Sequence, residues 1–224
     1  LEHMTPAVCL TDGYIGFGSE VIEVPKMAEL PSIKTRKAKP RNDGEGKFLP
    51  YDRDPETLAR EWAVPGTEGL RHRIGGLEKS NVYGEVTTDP ANHELMVKLR
   101  AEKVQRIANH LPLQDFTGPA DADLLVVSWG GTKGQVQGAV EEARALGMKI
   151  AHTHFRYISP LPKNTREMLA SFRKIVVCEL SMGQFASYLR INFPDIPYLQ
   201  YNKVQGQPFT AHELVENFSQ ILKA

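Results

Sequence analysis

Apolar and polar residues settle into a regular rhythm only from Asp121 onward. Leu124-Leu125-Val126-Val127 is a short continuous apolar run, the pattern of a strand buried on both faces. Ser128, Trp129, Gly130 and Gly131 break it, and Thr132 stands where an N-cap belongs. The helix that follows carries Val136, Ala139, Val140, Ala143 and Leu146 on one stripe, with Gly147 at its C′ position. A second apolar run, Met148 to Ala151, begins at once, completing a strand, turn, helix and strand. The alternation continues with strand Lys149–Arg156, helix Arg166–Phe172, strand Lys174–Leu180, helix Gln184–Phe193, strand Pro197–Tyr201 and helix Ala211–Leu222. Thr210-Ala211-His212-Glu213 is a capping box that sets the start of the last helix. Residues 121–224 are therefore expected to form an α/β domain, a doubly wound parallel sheet covered on both faces.

The chain before Asp121 has no such rhythm. Leu1-Glu2-His3-Met4 reads as an expression scar, and Pro6 to Leu10 as a strand with nothing before it, as if the chain were a fragment that begins inside a domain. Thr11 to Ser19 is a glycine-rich turn able to open a helix, but it satisfies neither the dinucleotide fingerprint nor the Walker pattern. Residues 25–120 scatter Pro25, Pro31, Pro40, Pro50, Pro55 and Pro65, and are expected to be a long irregular connector anchored by Phe48, Tyr51 and Trp62. Within it, Asp89-Pro90 is a helix start, with a helix to about Asn109 whose stripe is Met96, Leu99, Val104 and Ile107.

Composition narrows the function classes. In 224 residues Lys+Arg and Asp+Glu are both 27, so net charge offers nothing to nucleic acid or an acidic membrane surface. The basic run Lys34 to Lys39 is read as a solvated loop. No apolar run has membrane-spanning length. The cysteines, Cys9 and Cys178, each sit in an apolar run and are expected to be buried thiols in a reducing cytoplasm.

Ligands of such sheets bind beyond the carboxyl ends of the strands, which here are Ser128–Lys133, Arg156–Pro160, Glu179–Gly183 and Asn202–Phe209. Ser128–Lys133 is an anion candidate at a helix start, although a tight turn is the preferred reading. His152 and His154 alternate on one strand and share a face, where Glu179 would have to supply a third zinc ligand; hydrogen-bonded histidines are preferred. Asn202 to Phe209 concentrates amides, a lysine and an aromatic expected to be exposed, the composition of a recognition loop. On the residues alone, a stand-alone nucleotide- or anion-binding domain and a protein-interaction domain both stay open.

Several segments together resemble the C-terminal half of the alpha subunit of the 2-oxoglutarate:ferredoxin oxidoreductases, within the wider 2-oxoacid:ferredoxin oxidoreductase family. They are Leu10-Thr11-Asp12-Gly13-Tyr14, Gly18-Ser19-Glu20, Phe48-Leu49-Pro50-Tyr51 and Trp62-Ala63-Val64-Pro65-Gly66-Thr67. His72 to Glu78, Asp89-Pro90 with Asn92-His93, Asp123 to Val127, Ser159-Pro160-Leu161-Pro162 and Tyr201 to Phe209 complete the set. The resemblance implies a thiamine-diphosphate enzyme converting 2-oxoglutarate and CoA to succinyl-CoA and CO2, with electrons passing to ferredoxin. It implies that residues 5–24 are the tail of a pyrimidine-binding domain and that 121–224 are a transketolase-C-terminal-like domain. The family's Tyr-Pro-Ile-Thr-Pro motif is absent, and thiamine diphosphate, magnesium and a [4Fe-4S] cluster are implied only for the complete complex with its beta subunit. No catalytic, cofactor or metal residue is therefore assigned to this chain. The residues implied to meet a partner are Arg156, Asn202, Lys203, Gln205, Gly206, Gln207, Pro208 and Phe209.

Overall fold

The computed structural model describes residues 1–40 and 47–224, and all side chains among them except those of Tyr14 and Ile15. Residues 41–46, part of the expected connector, lie outside the described residues. In chain order the helices are α1 (Gly13–Gly16), α2 (Pro90–Arg106), α3 (Lys133–Ala145), α4 (Thr165–Ala170), α5 (Gln184–Asn192) and α6 (Ala211–Lys223). The strands are β1 (Leu124–Trp129), β2 (Ile150–Phe155), β3 (Ile175–Glu179) and β4 (Leu199–Asn202). The chain divides into two compact units, one of Leu1–Val8 with Val21–His110 and one of Cys9–Glu20 with Leu111–Ala224.

Among the described residues of the first unit, strand-like pairing is by isolated bridges: Lys37 with Trp62, Tyr51 with Val82, Arg53 with Arg60, and Lys79 with Val86. The three expected anchors all make contacts. Phe48 meets His72 edge-on at 5.2 Å, Tyr51 lies under the Arg60 guanidinium at 4.4 Å, and the Trp62 indole N–H donates to the Leu1 carbonyl at 2.9 Å. The basic run is not merely solvated, because Ala38 donates to the Trp62 carbonyl and Arg36 pairs with Asp54. α2 starts at Asp89, whose side chain accepts from the Ala91 N–H, with Pro90 at N1. Met96 alone of the expected stripe is fully buried.

The second unit is the α/β domain. All strand pairs are parallel and the order is β2-β1-β3-β4, so the chain turns back at β1 and lays helices on both faces. Leu124, Val126, Val176 and Cys178 pack with α3 and α6 through Val136, Val140, Leu214 and Phe218. Leu125, Val127, Ile175 and Val177 pack on the other face with Met168, Leu169, Phe185 and Leu189 of α4 and α5. The capping box of α6 forms as expected, Thr210 accepting from Glu213 N–H and Glu213 from Thr210 N–H.

Four local expectations are corrected. Residues 6–10 form no strand, and Val8 and Leu10 are exposed; an apolar run becomes a strand only where a ladder receives it, and the sheet does not include this one. For the same reason Cys9 is exposed, whereas Cys178 inside β3 is buried and its thiol pKa is raised by desolvation. Thr132 does not cap α3 with its side chain. It sits in a 3-10 turn, Gly130–Thr132, and its hydroxyl donates back to the Trp129 carbonyl at 2.8 Å. Leu146 falls off the buried stripe because α3 ends at Ala145 and the chain reverses through Gly147 at φ +88°.

Candidate functional site

The carboxyl ends of β1 and β3 meet at the point where the chain reverses its winding, the place where such sheets hold ligands. Glu179 closes the end of β3. Its fully buried carboxylate accepts from the Phe185 and Ala186 N–H groups at 2.9 Å each, from the Ser181 hydroxyl at 3.0 Å and from the Trp129 indole at 3.2 Å. A carboxylate at the first turn of α5 satisfies N–H groups that have no partner within the helix and complements the helix dipole. Glu179 is thus committed to joining β1, β3 and α5.

The Ser128–Lys133 turn, the sequence's anion candidate, is covered by the chain itself. A side-chain methyl built on Gly131 would fall on the Asp12 carboxylate, so Asp12 lies directly against the backbone of the turn. A cavity of about 270 Å³ remains between Leu10, Asp12, Trp129, Gly130 and Ser181. A larger one, about 940 Å³, opens between the Asp12–Ser19 segment, Gln135 and the Lys203–Pro208 loop.

That loop differs from expectation at two residues. Phe209 is buried, stacked on Tyr201 at 5.6 Å between ring centres and packed in the α3/α6 core, so it is not the exposed aromatic of a recognition surface. Lys203 is bound inward to both Glu213 carboxylate oxygens at 2.8 and 3.1 Å and to the Pro208 carbonyl at 2.9 Å. Asn202, Gln205, Gly206 and Gln207 are exposed. Arg156 stands apart from this loop, at the end of β2.

His152 and His154 do share a face, and β1 supplies what joins them. The register sets Ser128 opposite His154, and the Ser128 hydroxyl lies 2.8 Å from both His152 Nε2 and His154 Nδ1. One hydroxyl proton serves one acceptor, so Ser128 donates to one imidazole and accepts from the other. Desolvation, the largest cause, lowers both histidines to about 4, helped by the positive charges of Lys133 and of Arg144 or Arg156. Both rings are neutral at pH 7. Glu179 cannot complete a zinc site with them: it follows Val177 on the α4/α5 face, while Ser128 and its histidines follow Val126 on the opposite one. Among the described residues no group of three His, Cys, Asp or Glu side chains could hold a metal ion. The serine bridge left no sequence signal except a polar residue ending an apolar strand, because strand register is decided by pairing and not by local pattern.

With this geometry in place, comparison with known proteins identifies the fold's relatives. Residues 122–214 match the family model described as pyruvate:ferredoxin oxidoreductase core domain II. The 2-oxoglutarate oxidoreductase subunit KorA of Mycobacterium tuberculosis is 44% identical over 215 residues, covering 96% of this chain and 32% of the relative. The 2-oxoacid:ferredoxin oxidoreductase 1, subunit alpha, of Aeropyrum pernix is 31% identical over 186 residues, 80% of this chain and 28% of its own. Among solved structures, 2-oxoglutarate:ferredoxin oxidoreductase from Magnetococcus marinus, with 2-oxoglutarate, coenzyme A and succinyl-CoA bound, aligns with a TM-score of 0.78 at 26% identity. That alignment covers 90% of this chain and 34% of the other. The chain therefore spans about a third of the length of these relatives. Along most of its length it is similar to alpha subunits of the 2-oxoacid:ferredoxin oxidoreductases, and its doubly wound sheet matches the family model of their core domain II.

Proposed function

We propose that this chain is part of the alpha subunit of a 2-oxoglutarate:ferredoxin oxidoreductase, in which it serves as scaffold and subunit contact. The observation that carries this reading is the 44% identity to the M. tuberculosis 2-oxoglutarate oxidoreductase subunit across 96% of the chain. The reaction is the oxidative decarboxylation of 2-oxoglutarate with CoA, giving succinyl-CoA, CO2 and reduced ferredoxin, carried out in the cytoplasm.

The residues present do not fit the cofactors that such a reaction uses. The described residues hold no metal-ligating group of three, and the two cysteines, one exposed and one inside β3, do not make a cluster cradle. The glycine turn best placed for a diphosphate is occupied by the Asp12 carboxylate. Thiamine diphosphate, magnesium and the [4Fe-4S] cluster are accordingly assigned to the rest of the complex, with the beta subunit as partner. Of the residues expected to meet that partner, exposed Asn202, Gln205, Gly206 and Gln207 carry the contact, while Lys203, Pro208 and Phe209 set the loop's shape from within.

The test is co-expression of a complete alpha subunit containing this sequence with its beta subunit. The complex reduces methyl viologen only when both 2-oxoglutarate and CoA are supplied, and this chain alone does not. Turnover of some other 2-oxoacid with none of 2-oxoglutarate would refute the substrate assignment.

A further inference from the structure

We propose that a cavity of about 350 Å³ at the carboxyl end of β2 is a binding site for a small dianion, a phosphate or a dicarboxylate, held between Lys133 and Arg156 with His154 as a further donor. The cavity lies on the α3 face of the sheet, outside the crevice between β1 and β3. His152 and His154 line it from β2, Lys133 and Gln137 from α3, and Gln114 to Thr117 from the segment before β1.

The walls are fixed by hydrogen bonds. Thr117 and His152 exchange both backbone bonds, at 2.8 and 2.9 Å, which attaches the Gln114–Thr117 segment to the outer edge of β2. Gln114 is buried and donates to the Thr153 hydroxyl at 2.8 Å and the His154 carbonyl at 3.1 Å, while Asn164 holds the Gln114 backbone at both ends. A preformed cavity of this size suits a small molecule, since little ordering entropy remains to oppose binding.

The charges point to an anion. The side chains of Lys133 and Arg156 make no hydrogen bond or ion pair among the described residues, yet both bear on His154 strongly enough to depress its pKa. Arg144 and Lys133 do the same to His152 from α3. Asp115 is the one carboxylate among the lining residues, set against Lys133, Arg156 and two imidazoles. Ser128 occupies Nδ1 of His154; when its hydroxyl donates there, the free Nε2 carries the proton and faces the cavity as a donor. A guanidinium and an ammonium converging beside an imidazole suit phosphate or carboxylate oxygens. The α3 start, with Lys133 as its first residue, adds its partial positive charge. A bound dianion favours the charged imidazole, so binding strengthens as pH falls toward the His154 pKa of about 4.

The experiment is calorimetric titration of the full chain with sulfate, whose charge is constant in this range, and with malonate as the dicarboxylate arm. Saturable binding of either at about one per chain is expected, with the stronger naming the ligand's class. Sulfate should bind more tightly at pH 5 than at pH 7, and its saturation should raise the His154 pKa followed by proton NMR. Lys133→Gln and Arg156→Gln should each weaken binding about tenfold, about 1.4 kcal/mol. Lys149→Gln, in an exposed pair with Asp121, should leave it unchanged. Absence of saturable binding by both anions into the low millimolar range overturns the proposal, as does binding that neither variant weakens. Neither result bears on the oxidoreductase assignment, which rests on relatedness.

Discussion

The carboxylate of Asp12 lies where any side chain at position 131 would have to go. The requirement for glycine there is one of space, because Gly131 is not among the glycines with positive φ. Gly131→Ala should therefore release the Cys9–Glu20 segment from the domain without unfolding the sheet. Hydrogen exchange should rise in that segment and stay unchanged in β1 and β3. Combining it with Asp12→Ala should cost no more than Asp12→Ala alone, since the clash is then gone. Equal loss of protection across the sheet would show that Gly131 serves the domain core instead.

Glu179→Gln should destabilise the second unit by about 2–4 kcal/mol in urea unfolding. The amide keeps one acceptor oxygen and points its NH2 at donors, leaving at least one of the Phe185 and Ala186 N–H groups buried and unpaired. A change below about 0.5 kcal/mol would contradict the role given to this carboxylate.

Stability should fall as pH drops from 6.5 to 5. Unfolded His152 takes a proton near its usual 6.5, while the folded residue resists until about 4, so between these values the unfolded state binds more protons. For His152, only 5% exposed, this is about 2 kcal/mol over that interval, and His154 acts in the same direction. His152→Gln should flatten the pH dependence measured by denaturation midpoints at pH 7, 6 and 5.

Thr210→Ala removes the acceptor for the Glu213 N–H and should cost about 1 kcal/mol, with Thr210→Ser near neutral. Lost helicity confined to α6, read by exchange at Leu214 and Val215, would accompany it.

How much of this could be read in advance depended on the range of the interactions. The α6 cap was legible because Thr210 and Glu213 lie within one turn, and so was the reversal at Gly147. The strand and helix order was legible because buried parallel strands and amphipathic helices carry different periods. Partners distant in sequence were not: Asp12 reaches Gly131, and Gln114 reaches Thr153 and His154, through folding alone. Phe209 and Cys9 differ in exposure from what their sequence neighbours imply, for one reason. Burial of an isolated residue follows from what packs on it, and local composition says nothing of that.

The pairing of Thr117 with His152 makes the two borders of the sheet unlike. β2 is finished: its outward N–H and C=O groups are already matched where Thr117 crosses it. β4 ends the strand order on the other side, with Leu199, Gln200 and Asn202 exposed. Open strand borders template further pairing. Any lengthening of this sheet therefore has a direction, away from the histidine pair and toward the strand from which the Asn202–Phe209 loop departs.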